Sequence, residues 1–514
     1  MALGRYVSWF RRLCGPTAPT VDEGVKSEGK LAKVFSSEED CGSRESLKEV
    51  AERIAKEFEF SDVDVRRAVD GFVKQMNEGL RSHGCTIEQL PSFITELPTG
   101  FEKGTYLAVD LGGTNVRVCS VTLEGDGTFS LIQGKSAIPT VWMTCDNPSG
   151  LFNWVANFVH EFLEQNYPDS LTTAGTEDAQ IFSLGFTFSH AVHQLDINSG
   201  NLIRWSKGFN IDGVVGQDIC ALLQNAFTEL ALPILVTALI NDTVGTLLAR
   251  AYASPKSVHT VLGAVFGTGT NGAYVEQTSK ISKMTGSRTG EKGIMIVNTE
   301  WGNFDQGMEY LPTTSYDKTI DAGSVNPGFE MFEKRISGMY LGEILRLVIL
   351  SLVQDPKVDI FDGVAISEML KLRAKWGLDS SFMSHLEGDN SPDLSLSRTQ
   401  IEKCIGMASF QDAQAIRIIS HAIGRRSARL GAVAVGAVIV HTGCLKRGEG
   451  EGRVDIGVDG SLIELYPGFA AELKAALGEI EEIGEGEERI DIVVTKDGSG
   501  VGAALAAHVA AKRL

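Results

Sequence analysis

Two stretches of this chain share one pattern, and together they constrain its fold more than any other feature. Residues 106–109 and 116–121 are apolar runs joined by Asp110-Leu111-Gly112-Gly113-Thr114-Asn115. Residues 260–265 and 273–276 are joined by a second glycine-rich turn, Gly267-Thr268-Gly269-Thr270-Asn271-Gly272. Runs rich in β-branched residues read as strands with both faces covered. Glycine turns let backbone N–H groups come close to a phosphate. Either unit alone is also an ordinary hairpin, since Gly-Gly is a common hairpin signal. The repeat is more specific and suggests an internal duplication whose turns clasp one phosphate chain. Asp110 ends its strand facing the turn, where a carboxylate can hold Mg²⁺ through water.

With 514 residues the chain can form two or more domains with ample core. Its net charge of −19 argues against nucleic acid as the main partner, because phosphate backbones need a basic face. ATP is not excluded, being gripped locally by backbone and Mg²⁺. The eight cysteines form no CxxC pair and no metal spacing, which fits reduced cysteines in a cytosolic protein. No run spans a bilayer; the nearest, residues 430–440, reads as a buried helix packed through small residues.

Residues 1–20 stand apart. Leu3, Tyr6, Val7, Phe10 and Leu13 recur at helical spacing among Arg5, Arg11 and Arg12. Such a segment suits an anionic membrane or a mitochondrial address; the alternative is a frayed terminus. The expected location is cytoplasmic, with mitochondrial association added if that helix is an address. Residues 20–45 are acidic and polar and read as a linker.

Further along, two amphipathic helices occupy residues 46–80, with Ser61 as an N-cap. Residues 202–210 carry Lys207, available to a ligand or simply solvated. The apolar strand 234–240 ends in Asn241-Asp242-Thr243 before a helix at 244–253. Ligand chemistry in α/β proteins sits at the carboxyl ends of strands. Asp242 fits a helix N-cap equally well. Residues 294–298 lead to Glu300. Glu333 lies in an apparent helix within 327–339, where surface exposure is the default. A helix is expected around 366–375, a polar loop near 388–397 and another loop at 478–488. A strand at 454–458 ends in Asp459-Gly460-Ser461. Asp497-Gly498-Ser499-Gly500 opens a terminal helix whose N-terminus suits an anion.

These segments carry a family resemblance. LAVDLGGTNVR at 107–117 resembles the first phosphate motif of the hexokinases, and FGTGTNGAY at 266–274 resembles the second. LGFTFS at 184–189 with WSKGF at 205–209 is similar to their sugar signature. ALINDTVGTL at 238–247 is similar to the catalytic segment. VNTEWGNFD at 297–305 and residues 327–346 resemble the two glutamate segments. VDGSLIELYPGF at 458–469 resembles the nucleotide region. The motifs run in the family's order from about residue 46 to 510, at the single-unit length of fungal hexokinases and glucokinases.

The resemblance implies an α/β fold of two RNase-H-like lobes, of the actin/hexokinase type, with sugar and ATP in the cleft between them. The corresponding divisions are a basic segment and linker (1–45), helices packing on the large domain (46–96), a small domain (97–240), a large domain (241–496) and a C-terminal helix (497–514). It implies transfer of the ATP γ-phosphoryl group to the 6-hydroxyl of a hexose, glucose and related sugars included. Asp242 would take the hydroxyl proton, and Lys207 would bind a sugar oxygen and steady developing charge. Ser189, Ser206, Asn241, Asn271, Glu300 and Glu333 would hydrogen-bond ring hydroxyls. Asp110 would hold Mg²⁺ through water. Gly112, Gly113, Thr114, Asn115, Arg117, Gly267, Thr268 and Gly269 would contact phosphates, and Gly460 and Ser461 would lie by the nucleoside.

Two departures from the family pattern border the sugar pocket. His190-Ala191 replaces an aromatic residue and proline, and Phe329-Glu330 replaces a pair of glutamines. Phe329 reshaping the pocket for a 2-acetamido group would make the chain an N-acetylglucosamine kinase. A sugar-sensing regulator with little turnover is a further alternative. An actin-like or chaperone ATPase shares the lobes but lacks the Ser206-Lys207-Gly208 and Glu300-Trp301-Gly302 segments.

Overall fold

In a computed structural model, residues 45–175, 180–205, 208–255, 258–284, 293–446 and 452–512 are described. Ser206, Lys207 and the basic segment 1–20 lie outside them. The first sheet has the order β4-β3-β2-β5-β8. Its strands are β2 (Lys103–Leu111), β3 (Asn115–Glu124), β4 (Phe129–Ala137), β5 (Phe182–Phe188) and β8 (Ile234–Ile240). The second sheet has the order β1-β11-β10-β9-β12-β13. It comprises β1 (Leu90–Pro91), β9 (His259–Phe266), β10 (Thr270–Gln277), β11 (Ile294–Asn298), β12 (Val454–Asp459) and β13 (Ile490–Val494). Each sheet runs three antiparallel strands into two parallel ones, and only the short edge strand β1 breaks the likeness. A separate hairpin pairs β6 (Ala191–Asp196) with β7 (Ser199–Arg204).

The inner strands are apolar because both faces are covered, whereas the edge strand β4 alternates with exposed residues. On β2, Leu107, Val109 and Leu111 face one layer and Ala108 the other, the two-residue alternation of a pleated strand. The first layer holds α3 (Gly150–Asn166) and α4 (Ile219–Glu229). The helices that line the cleft are α5 (Asp242–Ala253) and α7 (Gly498–Ala511). α5 lies on β9, β10 and β12, which follow it in the chain, whereas α7 reaches back to lie on β2, β5 and β8. They cross closely at glycines, since a Cβ on Gly502 would sit 2.2 Å from the Gly245 Cα. A Cβ on Gly185 of β5 would sit 1.9 Å from the Ala503 carbonyl oxygen. No side chain fits at either point.

Around the second sheet, α1 (Leu47–Glu57) and α2 (Asp62–Arg81) pack on the 33-residue helix α6 (Phe410–Thr442). Capping boxes at Ser46/Glu49 and Ser61/Asp64 start both short helices. The second half of α6 is buried all round, as a helix without a polar face must be. None of the helices among the described residues is long and apolar enough to cross a membrane.

Three local expectations change. The helix around 366–375 shrinks to Leu370–Arg373, because the chain turns back and packs Gly377 onto the Lys371 carbonyl. The loop near 388–397 gives way at Ser395 to a helix, Ser395–Cys404. Within 478–488 a 3₁₀ turn begins at Gly484.

Candidate active site

The carboxyl end of β8 supplies Asn241 and Asp242. Asn241 takes the capping role: its Oδ1 accepts from the Thr243 amide at 3.0 Å and the Thr243 hydroxyl at 2.7 Å. Asp242 opens α5, and its Oδ1 also accepts from the Thr243 amide, at 2.9 Å. Its Oδ2 accepts from Ser189 Oγ at 3.3 Å, at the end of β5. Asn271, on β10, donates to Asn298 Oδ1 at 2.9 Å and also reaches Asn241 Oδ1 and Glu300 Oε1. Asn298 Nδ2 donates to Glu300 Oε1 at 2.7 Å. Ser189, Asn241, Asp242, Asn271 and Glu300 therefore form one connected polar cluster.

Glu300 has a left-handed backbone (φ 54°), a costly conformation held by its surroundings. Burial pushes its carboxyl up to about 7, against the hydrogen bond from Asn298. Glu333 is not the surface residue expected by default. It opens a four-residue helix, Glu333–Ile336, and its Oε2 accepts from the Thr270 amide at 3.1 Å. It therefore backs the second glycine turn.

The first turn is built differently. Asp110 Oδ2 accepts from Arg117 Nε at 3.0 Å and Nη2 at 2.6 Å, and from Ser499 Oγ at 2.8 Å. Arg117 also lies 3.7 Å from Asp497. The hairpin register sets Asp110 opposite Arg117, so the expected metal carboxylate and phosphate cation hold each other here. Gly112, Gly113 and Thr114 form the loop, closed by the Gly112 amide donating to the Asn115 carbonyl at 3.1 Å. The second loop, Gly267 to Gly269, is tied to the Gly338–Gln354 helix by amides of Gly338 and Met339 donating to Gly267 and Thr268 carbonyls. Gly460 and Ser461 follow β12 directly, and Gly460 packs against Gly267.

Sequence reasoning passed over Asp459 and Ser499. Asp459 ends β12 beside Val265 of β9. Burial pushes its carboxyl up to about 6, Glu464 and Asp242 add to this, and the Gly460 amide and Arg117 oppose it. Its position at the carboxyl end of a parallel strand was a usable signal, the one that singled out Asp242. Ser499 was read only within an anion-suited helix start; its pairing with Arg117 and Asp110, 382 and 389 positions away, left no signal.

Comparison with known proteins decides the family. Residues 50–252 match one family model described as Hexokinase, and residues 261–509 match a second with the same description. A glucokinase of Aspergillus niger is 45% identical over 487 residues, covering 91% of this chain and 98% of that protein. Glucokinase-1 of Saccharomyces cerevisiae is 40% identical, covering 90% and 97%. The chain belongs to the hexokinase family.

A solved hexokinase of Schistosoma mansoni, complexed with glucose, superposes with a TM-score of 0.78 at 32% identity, covering 90% of this chain and 99% of that one. The present hexokinase is thus an ATP-dependent hexose kinase of the two-lobed fold. Its two departures from the family pattern have local explanations. His190 does the packing work of an aromatic ring, with centroids 4.8 Å from Phe188 and 5.1 Å from both Trp205 and Phe209. Phe329 is 55% exposed. Its loop is pinned through Asp321, which accepts from the Gly328 amide at 2.9 Å and from Lys334 Nζ at 2.7 Å.

Proposed function

We propose that this hexokinase phosphorylates the 6-hydroxyl of glucose and related hexoses, with Asp242 as the base. The observation that carries the reading is the place of the Asp242 carboxylate at the head of α5, with Oδ2 toward Ser189. Asn241 and Asp242 Oδ1 share the Thr243 amide, while Asp242 Oδ2 is directed to Ser189 at the end of β5. A base there meets the geometric demand of phosphoryl transfer, in which positioning supplies most of the rate. Ser189, Asn271, Glu300 and Glu333 would accept and donate to the ring hydroxyls, which do both themselves. Ser206 and Lys207 are assigned to the sugar by their motif alone.

The turns at Gly112–Asn115 and Gly267–Gly269, with Arg117, would hold the phosphates of ATP, and Gly460 and Ser461 the nucleoside. The hard oxygen donors Asp110 and Asp459 fit Mg²⁺ held through water, and the ion would neutralise phosphate charge there. The relatives named glucokinase support glucose, rather than a 2-acetamido sugar, as the acceptor.

The test is ATP-dependent turnover by the purified protein with glucose, fructose, mannose and N-acetylglucosamine. Glucose turnover supports the reading. Turnover of N-acetylglucosamine alone, or binding of sugars without turnover, would overturn it.

A further inference from the structure

Where the two lobes join, the β6–β7 hairpin meets the loop between α2 and β1. The hairpin is anchored in the first lobe: Asn201 of β7 bridges to Asp218, whose carboxylate caps α4 and accepts from Ser199 Oγ at 2.6 Å. The loop is anchored in the second. The Gln89 amide donates to the Thr299 carbonyl at 3.2 Å, and Lys283 Nζ holds the Glu88 carbonyl. Three side-chain contacts cross this junction. Gln194 Nε2 donates to the Leu239 carbonyl of the first sheet at 2.9 Å and to the Ser92 carbonyl, just past β1 of the second, at 3.0 Å. Arg204 Nη1 lies 3.5 Å from Glu88 Oε1. The third contact joins two imidazoles. The rings of His83, in the loop, and His193, on β6, have centroids 5.7 Å apart and planes at 65°. Both residues are exposed.

We propose that His83 and His193 bind one Zn²⁺ ion between them, which ties the two lobes together and slows turnover. Two imidazoles on one tetrahedral Zn²⁺, each bound at about 2.0–2.1 Å, hold their ring centres roughly 5–5.5 Å apart. The pair stands close to that spacing, and its inclined planes leave the ring edges room to turn toward a shared ion. Imidazole nitrogen suits Zn²⁺, whereas Mg²⁺ takes oxygen ligands, so the site does not compete for the ion that accompanies ATP. Among the described residues, no group of three or more histidine, cysteine or acidic side chains is placed to hold a metal. Water would therefore fill the remaining positions, and the ion would come and go, unlike one in a closed four-ligand structural site. Kinases of two lobes close on substrate and reopen for product, and a ligand pair drawn from both lobes resists the step that parts its imidazoles.

The probe is Zn²⁺ alone. Calorimetric titration of the nucleotide-free protein, and initial rates of glucose phosphorylation in excess Mg²⁺, are compared for wild type, H83A, H193A, the double variant and H193C. Changes around the ligands alone cost about 10- to 100-fold in metal affinity, so loss of a ligand should cost at least as much. Each alanine variant should therefore lose one bound Zn²⁺ and need at least about tenfold more Zn²⁺ for the same inhibition. The double variant should add nothing further, and H193C, which restores a ligand, should regain both. EDTA should reverse the inhibition of wild type, and without Zn²⁺ all five proteins should turn over alike. Equal Zn²⁺ binding by wild type and the alanine variants, or equal inhibition, overturns the site. Zn²⁺ bound at the pair without inhibition overturns its hold on the lobes.

Discussion

The two lobes of this hexokinase share a strand order but not a way of holding charge. In the second lobe, buried ion pairs pin the shell around the sheet: Arg426 with Asp317, Arg346 with Glu343 and Arg250 with Asp455. In the first, the layer between the sheet and α3 and α4 is apolar. Among the described residues, the ion pairs from 97–240 are Arg117 with Asp110 and Asp497, and Arg204 with Glu88, all at the cleft. The glycine turns differ in the same sense. The first is backed by an arginine–aspartate pair, and the second by Glu333 on a neighbouring segment. Repeating a backbone therefore repeats the geometry that presents amides, while the charges around each turn are set separately.

The comparison can be broken at several points. The largest effect should come from Asp242→Asn, which removes the base: turnover falls about 10³-fold while glucose affinity by calorimetry stays within about twofold. Retained turnover would end the base assignment. Next, Arg426→Met leaves Asp317 buried and unpaired, and should cost about 3–4 kcal/mol in urea unfolding. A cost below about 1 kcal/mol would show that the second lobe does not depend on its ionic frame.

The same pair predicts a pH effect. Burial alone would raise Asp317, but Arg426, Arg335 and the Thr314 amide hold it down at about 2, against an ordinary 3.8. Its stabilisation is complete above the ordinary value and is lost as pH falls toward about 2. The stability gap between wild type and Asp317→Asn should narrow by about 2 kcal/mol over that window; a constant gap contradicts it. The smallest effect is at the first turn. Arg117→Gln should raise KM for ATP about tenfold and leave KM for glucose unchanged, and an equal rise in both would blur the distinction between the two turns.

Much of the fold was legible because its signals are local. The apolar runs at 106–109, 234–240 and 294–298 fall within strands, since a sheet covered on both sides needs uninterrupted apolar sequence. The head of α5 was half legible. The sequence offered Asp242 as the cap, and the fold gives that place to Asn241, one residue earlier. Long-range pairings left no mark: Ser499 reaching Asp110, Glu88 reaching Arg204, and α7 lying on a sheet whose strands end before residue 241. The left-handed backbone of Glu300 was also invisible, because glutamate adopts it only under tertiary constraint.

The reach of α7 back to the first sheet has a consequence for how the chain acquires its shape during synthesis. All five strands of the first sheet have been made once residue 240 is complete, yet the layer that closes their second face is encoded at Gly498–Ala511. Until residues 498–511 have been made, Ala108, Val121 and Ala238 lack the helix that covers them, and the groove cut by Gly185 stands empty. The first half to be translated is therefore the last to be finished. A chain lacking residues 498–511 would keep the cover of the second sheet and lose that of the first.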